Sequence, residues 1–475
     1  MQKILQLGIK DWITGVGIGR HIEDTGIFYQ MDGWNPCVNP ALSSDDFGLL
    51  QTGSASTQVG SGTADEIITA FIPHDSTEMY ALGTSGDIYS IALADDAVTL
   101  NSNRGVNIQN GFFSKGGGTE YFYYFQETQI GRYDLASTYT DGFWTGLTST
   151  AIRPVHYWAQ TFWFGNVSTV GKLVPASLPG TGALGAANLN VLDFDPEYTV
   201  KCLSDDDYYL VVGVSTQTAS QTLGGTTKVV FWDGFSPSWN KEWFIPEPSI
   251  QAIQKTGNIF YAVCSNALYA FNFSTSPVKI LDLDSSHTIN VNAYNAITQI
   301  GDAVMWGAID INAYGRLNSR IPKAYYQPMS FALRATTVNA LNSNASYGKI
   351  YIAGNNSKIY QVSLLSGGNV NDLNNAITHW IDLKDVYQIT GIRINFGTRL
   401  VSGNNMTITV EGYDGTSAFT QNINPTFTGL GAVSRAFFPL ELRGHEVRLT
   451  FSASGIVGNI KIKDVILYGT KTDEL

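Results

Sequence analysis

Charge is scarce in this sequence: Asp, Glu, Lys and Arg make up 14% of its 475 residues, against roughly a quarter in an ordinary soluble domain. Basic residues are the scarcer kind, 28 against 40 acidic, for a net charge of −12. No run of Lys and Arg interrupts that balance, so the electrostatic grip a phosphate backbone demands is missing and no nucleic-acid partner is expected. Cysteine is nearly absent. Cys37, Cys202 and Cys264 stand far apart, fit no metal-ligand or redox spacing, and read as buried free thiols. No apolar stretch reaches the ~18 residues of a membrane-spanning helix. Residues 1–10 lack the apolar core and small-residue cleavage site of a secretory signal. Without such a signal, the closing Lys471-Thr-Asp-Glu-Leu reads as a coincidental likeness to a retention tail. The sequons at Asn166, Asn272, Asn344, Asn355 and Asn405 read as chance in a chain rich in Asn, Ser and Thr.

What the chain does have is 48 Gly, 24 Tyr, 24 Phe and 10 Trp, with many β-branched residues. Aromatic and β-branched side chains suit a pleated, half-buried surface, while Gly, Asn and Asp suit tight turns, so the composition is that of an all-β protein. Its length exceeds what one core usually organises, which calls for two or more domains.

From Ile67 to Leu365 one pattern recurs: an alternating apolar strand, a polar turn, an aromatic-rich strand, a Gly/Asn/Ser/Asp turn, and a third short strand. Clear copies run Ile67-Ile-Thr-Ala-Phe-Ile-Pro, Glu78-Met-Tyr-Ala-Leu-Gly-Thr, Asp87-Ile-Tyr-Ser-Ile-Ala-Leu, and Ile250-Gln-Ala-Ile, Asn258-Ile-Phe-Tyr-Ala-Val, Ala267-Leu-Tyr-Ala-Phe-Asn-Phe. Lys349-Ile-Tyr-Ile-Ala-Gly and Lys358-Ile-Tyr-Gln-Val-Ser-Leu end another. Third strands begin near Asp87, Gln129, Gly171, Lys228, Ala267, Gly315 and Lys358, at intervals of 42, 42, 57, 39, 48 and 43 residues. The long interval holds the polar segment 215–227, an extended hairpin loop. A period in the forties with three or four strands per unit predicts a β-propeller of about seven blades over residues 61–368. Six or eight blades fit the same pattern. Signatures of WD, kelch and Asp-box blades are absent. Residues 1–60, with strand-like Gly26-Ile-Phe-Tyr-Gln-Met-Asp-Gly, either supply a ring-closing strand or reach a neighbouring subunit.

After the linker-like Ser366-Gly-Gly-Asn-Val-Asn-Asp the periodicity changes. Strands are expected at His379-Trp-Ile-Asp-Leu, Gln388-Ile-Thr-Gly-Ile-Arg-Ile-Asn-Phe, Met406-Thr-Ile-Thr-Val-Glu-Gly-Tyr, Ala436-Phe-Phe-Pro-Leu, Glu446-Val-Arg-Leu-Thr-Phe and Ile460-Lys-Ile-Lys-Asp-Val-Ile-Leu-Tyr-Gly. Their alternation predicts a two-sheet β-sandwich over residues 369–475. Trp380-Ile-Asp-Leu, Ile389-Thr-Gly-Ile-Arg-Ile, Val410-Glu-Gly-Tyr-Asp-Gly, Arg443-Gly-His-Glu-Val-Arg-Leu and Ile466-Leu-Tyr-Gly resemble discoidin-like and other jelly-roll binding modules. Across the whole chain the order of leader, degenerate propeller and terminal sandwich is similar to bacteriophage virion proteins of the tail nozzle, hub and fibre-attachment type. Gly26-Ile-Phe-Tyr-Gln-Met-Asp-Gly-Trp-Asn-Pro leading to Gly48-Leu-Leu shares their flavour. That resemblance implies assembly in a host cytoplasm without export, and a place in a virion.

Catalytic chemistry finds little support. Glycoside hydrolysis needs two carboxylates across a pocket. Asp193 with Asp195, Asp205-Asp-Asp, Asp282 with Asp284, and Asp310 all sit beside turn-forming residues, where Asp bonds its own backbone. The pair Asp282/Asp284 also suits a structural Ca²⁺. The histidines His21, His74, His156, His287, His379 and His445 are dispersed, with no metal-binding pair. Gly15-Val-Gly-Ile-Gly lacks the βαβ setting of a nucleotide site. Tyr121-Phe-Tyr-Tyr-Phe and Phe162-Trp-Phe read as central blade strands, while Trp34 and Trp239, near turns, are the candidates for a binding surface. No catalytic, cofactor-binding or metal-binding residue is assigned, no cofactor is expected, and the chain is read as not an enzyme. The expectation is a non-catalytic structural component of a phage tail, nozzle, hub or adsorption apparatus. It would act as an oligomeric scaffold whose partners are itself, other virion proteins and a host-surface glycan. The alternative is a carbohydrate-binding or glycan-hydrolysing propeller with a lectin-like C-terminal module.

Overall fold

Alternation on a strand buried from both sides sends odd and even residues to different neighbours. Tyr121-Phe-Tyr-Tyr-Phe125 shows how this builds the core. Phe122 and Tyr124 pack with Ala70, Tyr80 and Ile88 on one side, while Tyr123 and Phe125 pack with Phe164 and Leu173 on the other. The computed structural model describes residues 4–9, 28–31, 34–36, 50–52, 57–59, 67–116, 118–216, 227–283, 289, 294–300, 303–308, 311–316, 324–329, 337–344, 349–355, 357–363, 374–400, 405–415, 418–423, 433–454 and 461–472.

The chain is an all-β propeller. Six antiparallel sheets follow one another, each formed in the main by consecutive strands. The first holds Ile68–Pro73, Glu78–Gly83, Asp87–Ala92 and Val98–Asn103. The second runs Ile108–Gly116, Thr119–Gln126, Gln129–Tyr133 and Tyr139–Thr145, with a short parallel addition at Gly182–Ala183. The third comprises Val155–Trp158, Thr161–Asn166, Thr169–Leu173 and Leu192–Asp193. The fourth is Tyr198–Asp205, Leu210–Thr216, Thr227–Trp232 and Lys241–Ile245. The fifth is Ile250–Thr256, Ile259–Cys264, Ala267–Phe271 and Val278–Asp282. The sixth is Ile297–Ile300, Ala303–Gly307, Ile311–Arg316 and Ala324–Met329. A further four-stranded sheet is composite: Val338–Asn344, Lys349–Gly354 and Ile359–Ser363 take Thr57–Gln58 as their outer strand.

The first strand of each sheet touches the first strand of the next. Val338–Asn344 of the composite sheet touches Ile68–Pro73, so the row returns on itself. Apolar clusters follow the same order, the composite sheet's Ala340, Tyr351 and Ile359 packing with Ile68, Met79 and Tyr89 of the first. Gly86, in the turn between the second and third strands of the first sheet, has φ +100°, and a Cβ there would meet the Gly105 nitrogen at 2.7 Å. Only glycine fits such a turn. Helix is confined, among the described residues, to Ala186–Leu189 and a 3₁₀ turn at Pro175–Ser177. No described helix is long and apolar enough to cross a membrane.

The remaining strands form one ten-stranded hydrogen-bonded sheet. It combines Asn374–Thr378, Ile381–Leu400, Asn405–Tyr413, Ala418–Ile423, Val433–Ser454 and Lys461–Lys471 with Ile4–Ile9, Phe28–Met31, Trp34–Pro36 and Leu50–Thr52. Ile9 joins Ile389, Ile394, Val410, Leu449 and Leu467 in a single core. Two pairs of expected strands are continuous here. Ile381-Asp-Leu, the part of His379-Trp-Ile-Asp-Leu that is strand, and Gln388–Phe396 run into one strand because an irregularity between Asp382 and Tyr387, with Lys384 at φ 67°, absorbs the mismatch. Ala436–Leu440 and Glu446–Phe451 join through Gly444, where a Cβ would lie 2.8 Å from the Tyr413 nitrogen. Residues 433–447 of that long strand pair with Ile381–Leu400, and residues 446–454 pair with Asn405–Tyr413.

Candidate functional site at the ring centre

Five of the inner strands carry a bulge at the same place, the pairing slipping between Ile68 and Ala70, Ile108 and Asn110, Val200 and Cys202, Ile250 and Ala252, and Val338 and Ala340. A bulge leaves one residue outside the ladder. Here it is Thr69, Gln109, Lys201, Gln251 and Asn339, polar in every case. The third and sixth sheets have the equivalent residue just ahead of their inner strands. Gly165 donates to the Pro154 carbonyl and Gly307 to the Ala296 carbonyl, which places Arg153 and Asn295 in the series. The seven residues lie 40, 44, 48, 50, 44 and 44 positions apart.

Four of these side chains, Thr69, Gln109, Arg153 and Asn295, reach across to neighbouring segments. Thr69 Oγ1 reaches the carbonyl of Ile108 at 2.6 Å. Gln109 Nε2 donates to the Thr150 carbonyl, and Asn110 Nδ2 to the Arg153 carbonyl at 3.2 Å. Arg153 is wholly buried, and its guanidinium donates to the carbonyls of Glu127 and Thr148 (both 2.8 Å) and Gly165 (3.1 Å) and to Asn166 Oδ1 (2.9 Å). Burial lowers this guanidinium to about 10. Lys201 is likewise pulled down by desolvation, and it has no ion pair among the described residues. Three backbone carbonyls of the series, those of Thr69, Gln109 and Arg153, are met by Tyr294 and Asn295. The Tyr294 hydroxyl lies 2.9 Å from the Gln109 carbonyl and 3.1 Å from that of Arg153. Asn295 Nδ2 donates to the Thr69 carbonyl at 2.9 Å. Burial pushes the Tyr294 phenol up to about 12, so it acts as a donor. The arrangement can fasten inner strands from opposite parts of the row. It presents no nucleophile beside a base.

The carboxylates picked out in the sequence are held locally. Asp205 pairs with His156 at 2.7 Å, Asp206 accepts the backbone N–H groups of Tyr208 and Tyr209, and Asp207 lies 4.0 Å from Lys255. Asp282 pairs with Lys279 at 2.7 Å, the Asp195 carbonyl closes a turn with Tyr198, and Asp193 is exposed on an outer strand. Asp284, Asp310, His21, His287, Cys37 and residues 15–19 lie outside the described residues. His74 sits between Glu78 and Glu120, 3.3 Å from each, and stacks on Phe113 at 4.1 Å. His379 is buried, and the His445 ring is 5.7 Å from that of Tyr413. No group of three or more His, Cys, Asp or Glu is placed to hold a metal among the described residues. Cys202 and Cys264 are buried free thiols whose ionisation burial pushes upward.

Among the aromatic runs, Phe122–Phe125, Trp163 and Phe164 are buried and Phe162 stacks on Phe112 at 4.1 Å. Trp239 stacks on Phe194 and lies beside the nearly enclosed ammonium of Lys228, so it is packed rather than presented. The Trp34 side chain lies outside the described residues. The most exposed rings among the described residues are others: Phe235 at 84%, Tyr208 at 78%, Phe244 at 60%, Phe437 at 58% and Tyr157 at 54%. The bulge series left a trace in the sequence, an apolar–polar–small or apolar–polar–polar triplet: Ile68-Thr-Ala, Ile108-Gln-Asn, Ile152-Arg-Pro, Val200-Lys-Cys, Ile250-Gln-Ala, Tyr294-Asn-Ala and Val338-Asn-Ala. Aligning the inner strands rather than the third strands would have found it.

No family model matches the sequence, and no curated protein matches it. Among solved structures, the chain is similar to the WD40 β-propeller domain of Doa1, at 11% identity and a TM-score of 0.43 over 66% of this chain and 97% of that one. It is similar to the computationally designed Ika8 protein, at 13% identity and a TM-score of 0.41 over 64% of this chain and 99% of that one. A third similarity is to Chaetomium thermophilum Raptor, at 9% identity and a TM-score of 0.46, covering 66% of this chain and 29% of that one. At such values the fold statement rests on the strand order and inner-strand contacts of the chain itself.

Proposed function

We propose that this chain is a non-catalytic scaffold, a structural component of a phage virion in its tail, nozzle, hub or adsorption apparatus, working as a homo-oligomer among other virion proteins. In this reading the composite sheet is a seventh blade, and the ten-stranded sheet folds over its shared core as a two-layer sandwich. The long strand Val433–Ser454 passes from one layer to the other. The observation that carries the proposal is the route of the first 60 residues. They enter the terminal sheet with Ile4–Ile9 and Leu50–Thr52, then supply Thr57–Gln58 to the composite sheet. A chain that fastens two modules at both ends suits a part whose work is to hold shape. The exposed Tyr157, Tyr208 and Phe235, on hairpins of the third and fourth sheets, supply the aromatic anchors that protein interfaces favour.

The test is the native assembly state. Mass photometry and electron microscopy of the purified chain, with co-purification from infected cells, should give a closed oligomer and association with particle proteins. A monomer that hydrolyses a polysaccharide panel, and loses that activity on one Asp→Asn change, would overturn the proposal.

A further inference from the structure

One face of the terminal sheet combines an exposed ring with two arginines. Arg435, Phe437 and Pro439 alternate outward along Val433–Ser454, and all three are exposed. Opposite them on Ile381–Leu400 stand Asn395, Arg393 and Gly391, and opposite those on Lys461–Lys471 stand Asp464, Ile466 and Tyr468. A Cβ on Gly391 would run into the far end of the Phe437 ring, so that ring reaches over the bare backbone. Covering the glycine accounts for its inner face. Its outer face is open to solvent, and the ring is 58% exposed. Tyr468 lies 6.0 Å away, with the Arg393 guanidinium 5.8 Å over its ring.

The charges on this face are unbalanced. Neither Arg393 nor Arg435 has an ion pair among the described residues, and the Arg393 Nε is enclosed without a hydrogen-bond partner. The neighbouring carboxylate, Asp464, accepts instead from Asn395 Nδ2 at 2.5 Å. Glu441 stands two positions beyond Pro439, at the far end of the row.

We propose that this face binds an acidic saccharide, a pyranose ring lying on Phe437 and its carboxylate taken by Arg393 with Arg435. The axial C–H bonds of a pyranose carry slight positive charge and suit the negative face of an aromatic ring. A guanidinium fork suits a carboxylate better than any neutral hydroxyl. Local charge selects the occupant: two guanidinium groups on this face have no facing carboxylate among the described residues, which an anionic ligand answers, and a neutral sugar leaves both unanswered. The site is independent of the scaffold reading and stands or falls by itself.

The test is calorimetric titration of the full chain with a galacturonic-acid trimer and, as the control, a neutral galactose trimer. The expected result is heat from the acidic trimer alone, with affinity falling about tenfold or more in Arg393→Gln and Phe437→Ala. Phe437→Leu, which keeps Gly391 covered but removes the aromatic face, should lose affinity while melting like the parent. Equal binding of both trimers, binding indifferent to the three substitutions, no binding at all, or a self-association abolished by Phe437→Ala would each overturn the inference.

Discussion

The hydroxyl of Tyr294 lies 3.1 Å from the backbone carbonyl of Arg153, although 141 residues of chain separate them. The same hydroxyl is 2.9 Å from the Gln109 carbonyl. Tyr294→Phe keeps the ring and removes the donor, leaving the Gln109 carbonyl short of a partner while the Arg153 carbonyl keeps Asn110 Nδ2. The expected loss is about 1–3 kcal/mol, the cost of an unsatisfied buried acceptor. Urea unfolding checks it, and an unchanged midpoint would deny the hydroxyl its fastening role.

Arg153 itself should be less replaceable. Its guanidinium meets four acceptors from two sheets, a geometry an ammonium cannot reproduce. Arg153→Lys is expected to cost about 2 kcal/mol or more, and Arg153→Met to cost at least as much, because it strands the carbonyls of Glu127 and Thr148. Unfolding midpoints of the two variants decide the ranking.

Much of the ring was readable in the sequence because its signal is local. The third strands expected from Asp87, Gln129, Gly171, Lys228, Ala267, Gly315 and Lys358 fall on or beside observed strands, since alternation and turn residues act over five or ten positions. The outer strand of the composite sheet was not readable: Thr57–Gln58 is two residues long, and its pairing with Tyr360 and Gln361 is decided some three hundred positions away. Nor could Ala436-Phe-Phe-Pro tell which phenylalanine faces out. The inward side of this strand is the one that carries Phe438 with Leu440 and Leu442 into the core, and the pairing that sets the face comes from partner strands distant in sequence.

Lys201 supplies a pH-dependent case. Desolvation lowers its folded pKa below the 10.5 of an ordinary lysine, so between the two values the unfolded chain binds more protons and stability rises with pH. Below that window the buried charge costs stability. Lys201→Met is therefore expected to raise the melting temperature near neutrality. The advantage should shrink as pH climbs through the folded pKa and be gone above 10.5. Parallel melts of parent and variant from pH 7 to 11 measure this, and a constant gap would contradict it.

Asp233 runs the opposite way. Despite a desolvation penalty, donors from Ser236, Phe235 and Asn240 hold its carboxyl at about 2. A depressed carboxylate contributes stability above its unfolded value, and the contribution fades as pH falls through the folded one. Asp233→Asn should lower the melting temperature at pH 5 and converge with the parent near pH 2. A difference that persists at pH 2 would locate the effect in packing instead.

The thiols of Cys202 and Cys264, buried and raised in pKa, should resist a thiol-reactive dye in the folded chain and react only on denaturation. Rapid native labelling at either position would show that the fourth and fifth sheets open.

The pairing of Ile4 with Thr470 and of Leu50 with Ile462 has a consequence for biosynthesis. During translation the leading strands emerge early and must wait for a partner encoded roughly 400 residues later, a delay of roughly 20–80 s at ordinary elongation rates. For that time they are apolar edges without a template, the condition in which nascent chains need holding by a chaperone. Because Ile4 and Thr470 lie side by side when folded, linking those two strands directly and reopening the chain at an exposed hairpin should shorten the wait.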